Sequence, residues 1–197
     1  KIRAERRKVA EAGVALERRT GRDIGEADWR FFFRCYQATY RAHFSPPYLN
    51  LDFFLRLAQS MPENLLLVLA RRDGRPVAAA LGVFDARRDG SRLYGRYWGA
   101  VEPGDCLHFE CCYYQMIEFA IERRIDWFEG GAQGAHKLAR GLDPVVTRSA
   151  HWLVQPGMRQ AVARFLERER AGVAESVDEL NEHRAFKAAA CGAGDTR

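Results

Sequence analysis

The sequence predicts a mixed α/β (α+β) fold with one central sheet, an antiparallel meander followed by a β-α-β crossover, flanked by helices. Two observations carry this. Three strand-like runs between residues 64 and 100 are separated only by short turn signals, Asp73-Gly74 and residues 87–90, so consecutive strands pair antiparallel. A helical run over 107–123 then separates the third strand from a fourth at 125–129, and such a crossover pairs its strands in parallel. A doubly wound parallel sheet is excluded.

Residues 1–12 alternate bases with Ala and Val and read as a short, mostly exposed helix, ended near Gly13. Residues 14–19 alternate Val, Leu and charge, the period of a half-buried strand. Cap chemistry at 23–26 opens a helix over 27–41 loaded with Trp29, Phe31, Phe32, Phe33, Tyr36 and Tyr40, and Ser45-Pro46-Pro47 stops it. Asn50 caps a second helix over 51–59, with Leu51, Phe54, Leu55 and Ala58 on one face. The meander strands follow at 64–71, 75–86 and 91–100, and Pro103-Gly104-Asp105 breaks the third. Within 107–123, Phe109, Cys112, Met116, Phe119 and Ala120 recur at helical spacing and face a core. Tyr113 and Tyr114 are neighbours there, so at most one is expected to be fully buried. After 125–129 come a glycine-rich loop (130–134), a short helical turn through 136–140 and a strand near 145–154. Two closing helices, about 158–170 and 176–189, complete the elements. The tail 191–197 is small and polar and reads as disordered.

The chain has 197 residues, a formal charge of +5 and 47% hydrophobic residues. That composition can bury a core and excludes wholesale disorder. No run approaches the roughly 18 apolar residues of a membrane span, and no signal peptide opens the chain. The charge excess has one address: residues 1–22 hold eight bases and three acids, and the remainder is balanced. A general basic coat for nucleic acid is thereby excluded; a local basic segment is not. Five cysteines, none in a CxxC pair, argue against a zinc knuckle or a thioredoxin-like motif. Cys111 and Cys112, inside an apolar helical stretch, read as small buried hydrophobes, and a reducing cytoplasmic setting is the expectation.

The element order resembles the GNAT N-acyltransferase fold. The series HFECCYYQMIEFAI at 108–121, FEGGAQGAHKLARG at 128–141, Pro144 and SAHW at 149–152 resembles, more specifically, the FemAB-like, predicted N-acyltransferase family of peptidoglycan biosynthesis or recognition proteins. The opening KIRAERRKVAEAGVAL is similar to the basic helix and strand that open the second GNAT-like domain of Fem-type transferases. The resemblance covers nearly all of residues 1–170. It implies a GNAT-like sheet in which the acyl donor inserts where two central strands splay apart. It further implies a basic helix and strand over 1–22 continuous with an acyltransferase domain over 23–190, and another GNAT-like domain upstream of Lys1. The implied activity is transfer of an acyl or aminoacyl group onto an amine acceptor, a small molecule or a peptidoglycan precursor. No tightly bound cofactor is implied; the donor is aminoacyl-tRNA or acyl-CoA. Residues 1–22 then have three readings: a solvated face, a contact for tRNA or an anionic precursor, or a linker to the upstream domain.

Two departures bear on the donor. Acyl-CoA-using relatives carry a Q/R-x-x-G-x-G/A loop whose N–H groups hold pyrophosphate. Here residues 101–106 read Val-Glu-Pro-Gly-Asp-Cys, with one glycine and two carboxylates that repel phosphate. Ala135 stands where the family pattern has Glu. Both departures favour the contrasting reading, a catalytically silent GNAT-like module that recognises a peptidoglycan precursor or a partner protein.

N-acyl transfer needs a neutral amine, a held carbonyl and donors for the tetrahedral oxyanion. Glu110 is a catalytic candidate one turn into its helix, and its alternative is a salt bridge to an arginine. His108 points roughly 200° away from Glu110 and can meet Cys111 or Cys112 instead. Glu129 is the second catalytic candidate, at a strand end where α/β ligands collect. Gly130, Gly131 and Gly134 would let the backbone approach the donor closely; a tight turn is the alternative. Gln133, His136, Lys137 and Arg140 fall on one helical face at i, i+3, i+4 and i+7. His136 is then a candidate base, and Gln133, Lys137 and Arg140 candidate contacts for a carboxylate, phosphate or sugar. A solvated helix face is the alternative. Ser149 and His151 alternate on the expected strand and share a side as substrate contacts. No Asp completes a triad with them, so direct transfer without a covalent intermediate is expected. Tyr97 and Trp98 read as core or rim.

Overall fold

The computed structural model describes residues 1–85, 90–131 and 135–184. The chain forms two compact units, Lys1–Ala132 and Gln133–Arg197.

The first unit begins with α1 (Ile2–Glu11) and β1 (Val14–Thr20). The helices α2 (Glu26–Ala42) and α3 (Leu51–Ser60) follow. Local chemistry starts each of them: the Asp28 carboxylate accepts from the Gly25 N–H at 2.9 Å, and Asn50 Oδ1 accepts from the Phe53 N–H at 2.9 Å. The meander is β2 (Leu65–Arg72), β3 (Arg75–Asp85) and β4 (Arg92–Ala100). Asp73 and Gly74, with φ of 51° and 73°, make the first hairpin turn, the left-handed pair that matches strand twist. The turn expected at 87–90 falls mostly outside the described residues. After β4, α4 (Leu107–Phe109), a π-helical turn (Glu110–Tyr114) and α5 (Gln115–Arg123) run as one rod into β5 (Trp127–Glu129).

The sheet order is β1-β2-β3-β4-β5, antiparallel except for the parallel β4–β5 pair. This is the expected mixed sheet. Strand β2 is covered on both faces, so its run Leu65–Ala70 is apolar throughout rather than alternating. One face packs Leu66 and Val68 against Met116 and Phe119. The other packs Leu65, Leu67 and Leu69 against Trp29, Phe32, Tyr36 and Phe54. Helix α2 touches β4 backbone to backbone at Gly99, where a Cβ would stand 1.9 Å from the Cys35 carbonyl oxygen. Only glycine permits that approach, and Thr39 Oγ1 seals it by donating to the Trp98 carbonyl at 2.8 Å.

Tyr113 and Tyr114 are both buried, at 4% exposure each, against the expectation that at most one would be fully buried. The rod has cover on two sides: Tyr113 packs beside His108, while the Tyr114 hydroxyl donates to Glu5 of α1.

The second unit departs further from the expectations. Its described part holds a 3-10 turn (Ala135–Arg140) and one long helix, α6 (Pro156–Glu182). The two closing helices are therefore one, since an interior glycine such as Gly172 costs a helix only about 1 kcal/mol. Residues 145–154 form no strand. Their apolar side chains stay exposed, Trp152 and Val154 at 80%, and β-propensity needs a hydrogen-bonded, half-buried setting to act. Residues 185–197, including the expected tail, lie outside the described residues. Among the described residues no helix is long and apolar enough to cross a membrane.

Candidate active site

Strand β4 pairs with β5 for only three residues, from Arg92 opposite Trp127 to Tyr94 opposite Glu129. It then continues to Ala100 without β5 beside it. The register with β3 also slips here, Gly82 facing Gly95 and Leu81 facing Tyr97, so Arg96 is an inserted bulge residue. Parallel strands that part at their carboxyl ends leave a crevice where ligands collect. In this crevice lies a cavity of about 110 Å³, walled by Gly95, Arg96, Tyr97 and Trp98 of β4, by His108, Cys112, Tyr113 and Met116 of the rod, and by Gly130 beyond β5. A second, open groove of about 340 Å³ runs between the end of α2 and the end of β4, lined by Thr39, His43, Ala100 and Pro103, with Trp98 common to both.

Several wall residues have fixed chemistry. The His108 ring lies 5.3 Å from Trp98 and 5.6 Å from Tyr113. The Tyr97 and Tyr48 hydroxyls are 3.0 Å apart. Burial first, then Tyr48, pushes the Tyr97 phenol up to about 12, so it stays protonated at neutral pH. Burial likewise raises the Cys112 thiol well above its ordinary value, which removes it as a thiolate nucleophile.

The sequence candidates fall in different places. Gly130 is in the cavity wall. Gly131 follows it with φ of 79°, a conformation that favours glycine. Glu129 ends β5 beside the crevice, and its carboxylate accepts from Arg92 at 2.6 Å on the surface. Glu110 is 3% exposed and faces away from this chemistry: it accepts two hydrogen bonds from Arg6, at 3.2 and 3.1 Å, and one from Gln115 at 2.9 Å. Its contacts are those of the salt-bridge alternative.

In the second unit, the turn that holds His136, Lys137 and Arg140 is 3-10, not α, so Lys137 and Arg140 stay on one face at i, i+3 while His136 turns about 120° away from it. His136 is exposed and Lys137 half-buried, and burial lowers the Lys137 pKa. Arg140 is buried and donates to the His136 carbonyl at 2.7 Å. Ser149 Oγ and His151 Nε2 do meet, at 3.1 Å on the surface, although no strand holds them. Gln133 and Gly134 lie outside the described residues.

Arg18 and Arg19 of the basic segment are also engaged, with Glu122 and with Glu17 and Asp28. On the loop 101–106, Arg72 holds Glu102 at 3.4 Å and offsets one of its two carboxylates. Sequence reasoning passed over Arg96, Tyr97 and Trp98 as site residues, because a bulge and a strand parting leave no composition signal. His108 was visible only through its spacing from Cys112.

A FemAB-like family profile, described as peptidoglycan biosynthesis/recognition, matches residues 1–188. Among curated proteins no sequence match is found. Several solved structures share the fold at low identity. A mutant BH1408 protein from Bacillus halodurans is 13% identical at a TM-score of 0.53, covering 71% of this chain and 99% of its own. A possible acetyltransferase from Clostridium difficile 630 is 8% identical at 0.52, covering 72% and 98%. An aminoglycoside acetyltransferase from an uncultured soil metagenomic sample, in complex with sisomicin, is 12% identical at 0.50, covering 75% and 98%. The chain belongs to the FemAB-like family and has the GNAT-like fold.

Proposed function

We propose that this FemAB-like protein is an N-acyltransferase that moves an acyl or aminoacyl group from its donor directly onto an amine, a cell-wall precursor being the acceptor class its family suggests. The observation that carries the reading is the parting of β4 from β5 with a bulge and a cavity at the point of divergence. An extended donor arm laid in that gap takes the place of a neighbouring strand and hydrogen-bonds to β4, while Gly130 and Gly131 let the backbone come close. The amine nitrogen attacks the acyl carbonyl carbon, the carbonyl becomes an oxyanion, and the donor leaves with the electron pair of its bond to the acyl carbon. Donors for the oxyanion come from β4 backbone N–H groups and the protonated Tyr97 phenol. His108, in the cavity wall, is the proton acceptor for the attacking amine. The acceptor reaches the acyl group along the groove that shares Trp98, and Glu129 is proposed to serve acceptor binding. Acyl-CoA and aminoacyl-tRNA both remain donors under this reading, with the exposed bases Arg3, Lys8 and Arg22 as contacts for a polyanion.

One observation favours a binding module instead: the two candidate carboxylates, Glu110 and Glu129, are both held by arginines. Calorimetry with CoA, run beside transfer assays with acyl-CoA and aminoacyl-tRNA, separates the readings. For an enzyme, His108→Ala lowers turnover about 100-fold or more with donor affinity kept within a few-fold. Ligand binding by the wild type without turnover from either donor is the signature of a module.

A further inference from the structure

We propose that Arg6 is a positioning residue: α1 reaches beneath the π-helical turn and holds the cavity wall in place from behind. The inference rests on the reading of the cavity as the transfer site, and its geometry is independent of that chemistry. The Arg6 guanidinium uses all three of its nitrogens on the rod, Nε and Nη2 on the Glu110 carboxylate and Nη1 on Glu118. Gln115 donates to both acids, at 2.9 and 3.3 Å, and the Tyr114 hydroxyl donates to Glu5. The residues that α1 grips, 110, 114 and 118, interleave with those that wall the cavity, His108, Cys112, Tyr113 and Met116.

A π turn accommodates one more residue per turn than the α-helix around it and is retained where other contacts hold it. Relaxing it to α slips one residue, a rotation of roughly 100° for everything on its N-terminal side. His108 would turn away from Trp98, and Cys112 from its present wall. A carboxylate as buried as Glu110 needs its cation and its amide donor. Arg6 thus fixes the turn by supplying the cation, and the bidentate fork adds direction that an ammonium could not. Glu118 and Gln115 hold the guanidinium in register. The basic segment therefore has a task within this chain, separate from any polyanion it contacts.

The test uses the protein's own cysteines. Cys112 lies in the cavity wall, whereas Cys35 lies in the aromatic core on the other face of the sheet. Site-resolved alkylation, read by mass spectrometry on the folded protein, reports the two places separately. Arg6→Met is expected to speed alkylation of Cys112 about tenfold or more and leave Cys35 unchanged. The double variant Arg6→Met/Glu110→Gln, which no longer buries an unpaired charge, should return Cys112 to within about threefold of wild type. In transfer assays Arg6→Met is expected to raise KM for the donor and lower kcat together, with the double variant recovering most of both. Glu118→Gln, which keeps the Glu110 pair, serves if Arg6→Met does not fold, and gives a smaller rise at Cys112 alone. An unchanged Cys112 rate, or Cys35 and Cys112 accelerating together in either variant, overturns the proposal. Loss of transfer in the wild type would sink the reaction reading and leave the alkylation result standing.

Discussion

The two faces of the sheet are held by different chemistry. On the α2–α3 face, Trp29, Phe32, Tyr36 and Phe54 pack ring against ring, with centroids 5.1 to 6.4 Å apart, and the Arg19–Asp28 ion pair stands at the start of α2. On the α1–α5 face the core is smaller and aliphatic, and its outer layer is ionic: Arg6 on Glu110 and Glu118, Arg18 on Glu122. Aromatic burial is non-directional and supplies stability; a buried bidentate pair supplies direction and little net energy. The difference places rigidity of the fold on one side and alignment of the cavity wall on the other.

Phe54 is fully buried against six other rings, so Phe54→Ala should have the largest effect, a loss of about 3–5 kcal/mol in denaturant unfolding. That loss should be nearly the same at low and high salt. A loss under 1 kcal/mol would mean the aromatic face is not the main source of stability. At the other end stands the exposed pair of Arg92 with Glu129, beside the crevice. Arg92→Ala is expected to change stability by about 0–1 kcal/mol, and salt should erase the difference. Its cation–π contact with the exposed Trp127, at 5.7 Å, is of similar small size.

The same contrast explains what was legible in the sequence. The aromatic face announces itself through helical spacing of large apolar residues, and the meander through Asp73-Gly74 and the run Leu65–Ala70. Local rules of turn, cap and period fix those elements, and the parallel crossover follows from topology. The ionic face was hidden because Arg6 and Glu110 are 104 positions apart, and spacing along the chain says nothing about such a pair. The π turn was equally invisible: over five residues it differs from α-helix by one residue of phase. Residues 145–154 misled for the reverse reason. Val145, Val146, Trp152 and Val154 have strand propensity, but propensity acts only where a ladder and a core receive it. At the candidate site, Gly130 was readable as a close-approach glycine, whereas Arg96, Tyr97 and Trp98 come to line the cavity only through a bulge and a strand parting.

The central claim is that the gap between β4 and β5 receives the acyl donor. A crystal structure with a non-transferable acyl donor bound tests it most directly. The account predicts the acyl carbonyl beside the Arg96 bulge, within hydrogen-bonding reach of a β4 N–H, with His108 facing it. An acyl group seated away from this gap, with the cavity beside Trp98 left unfilled, would contradict it.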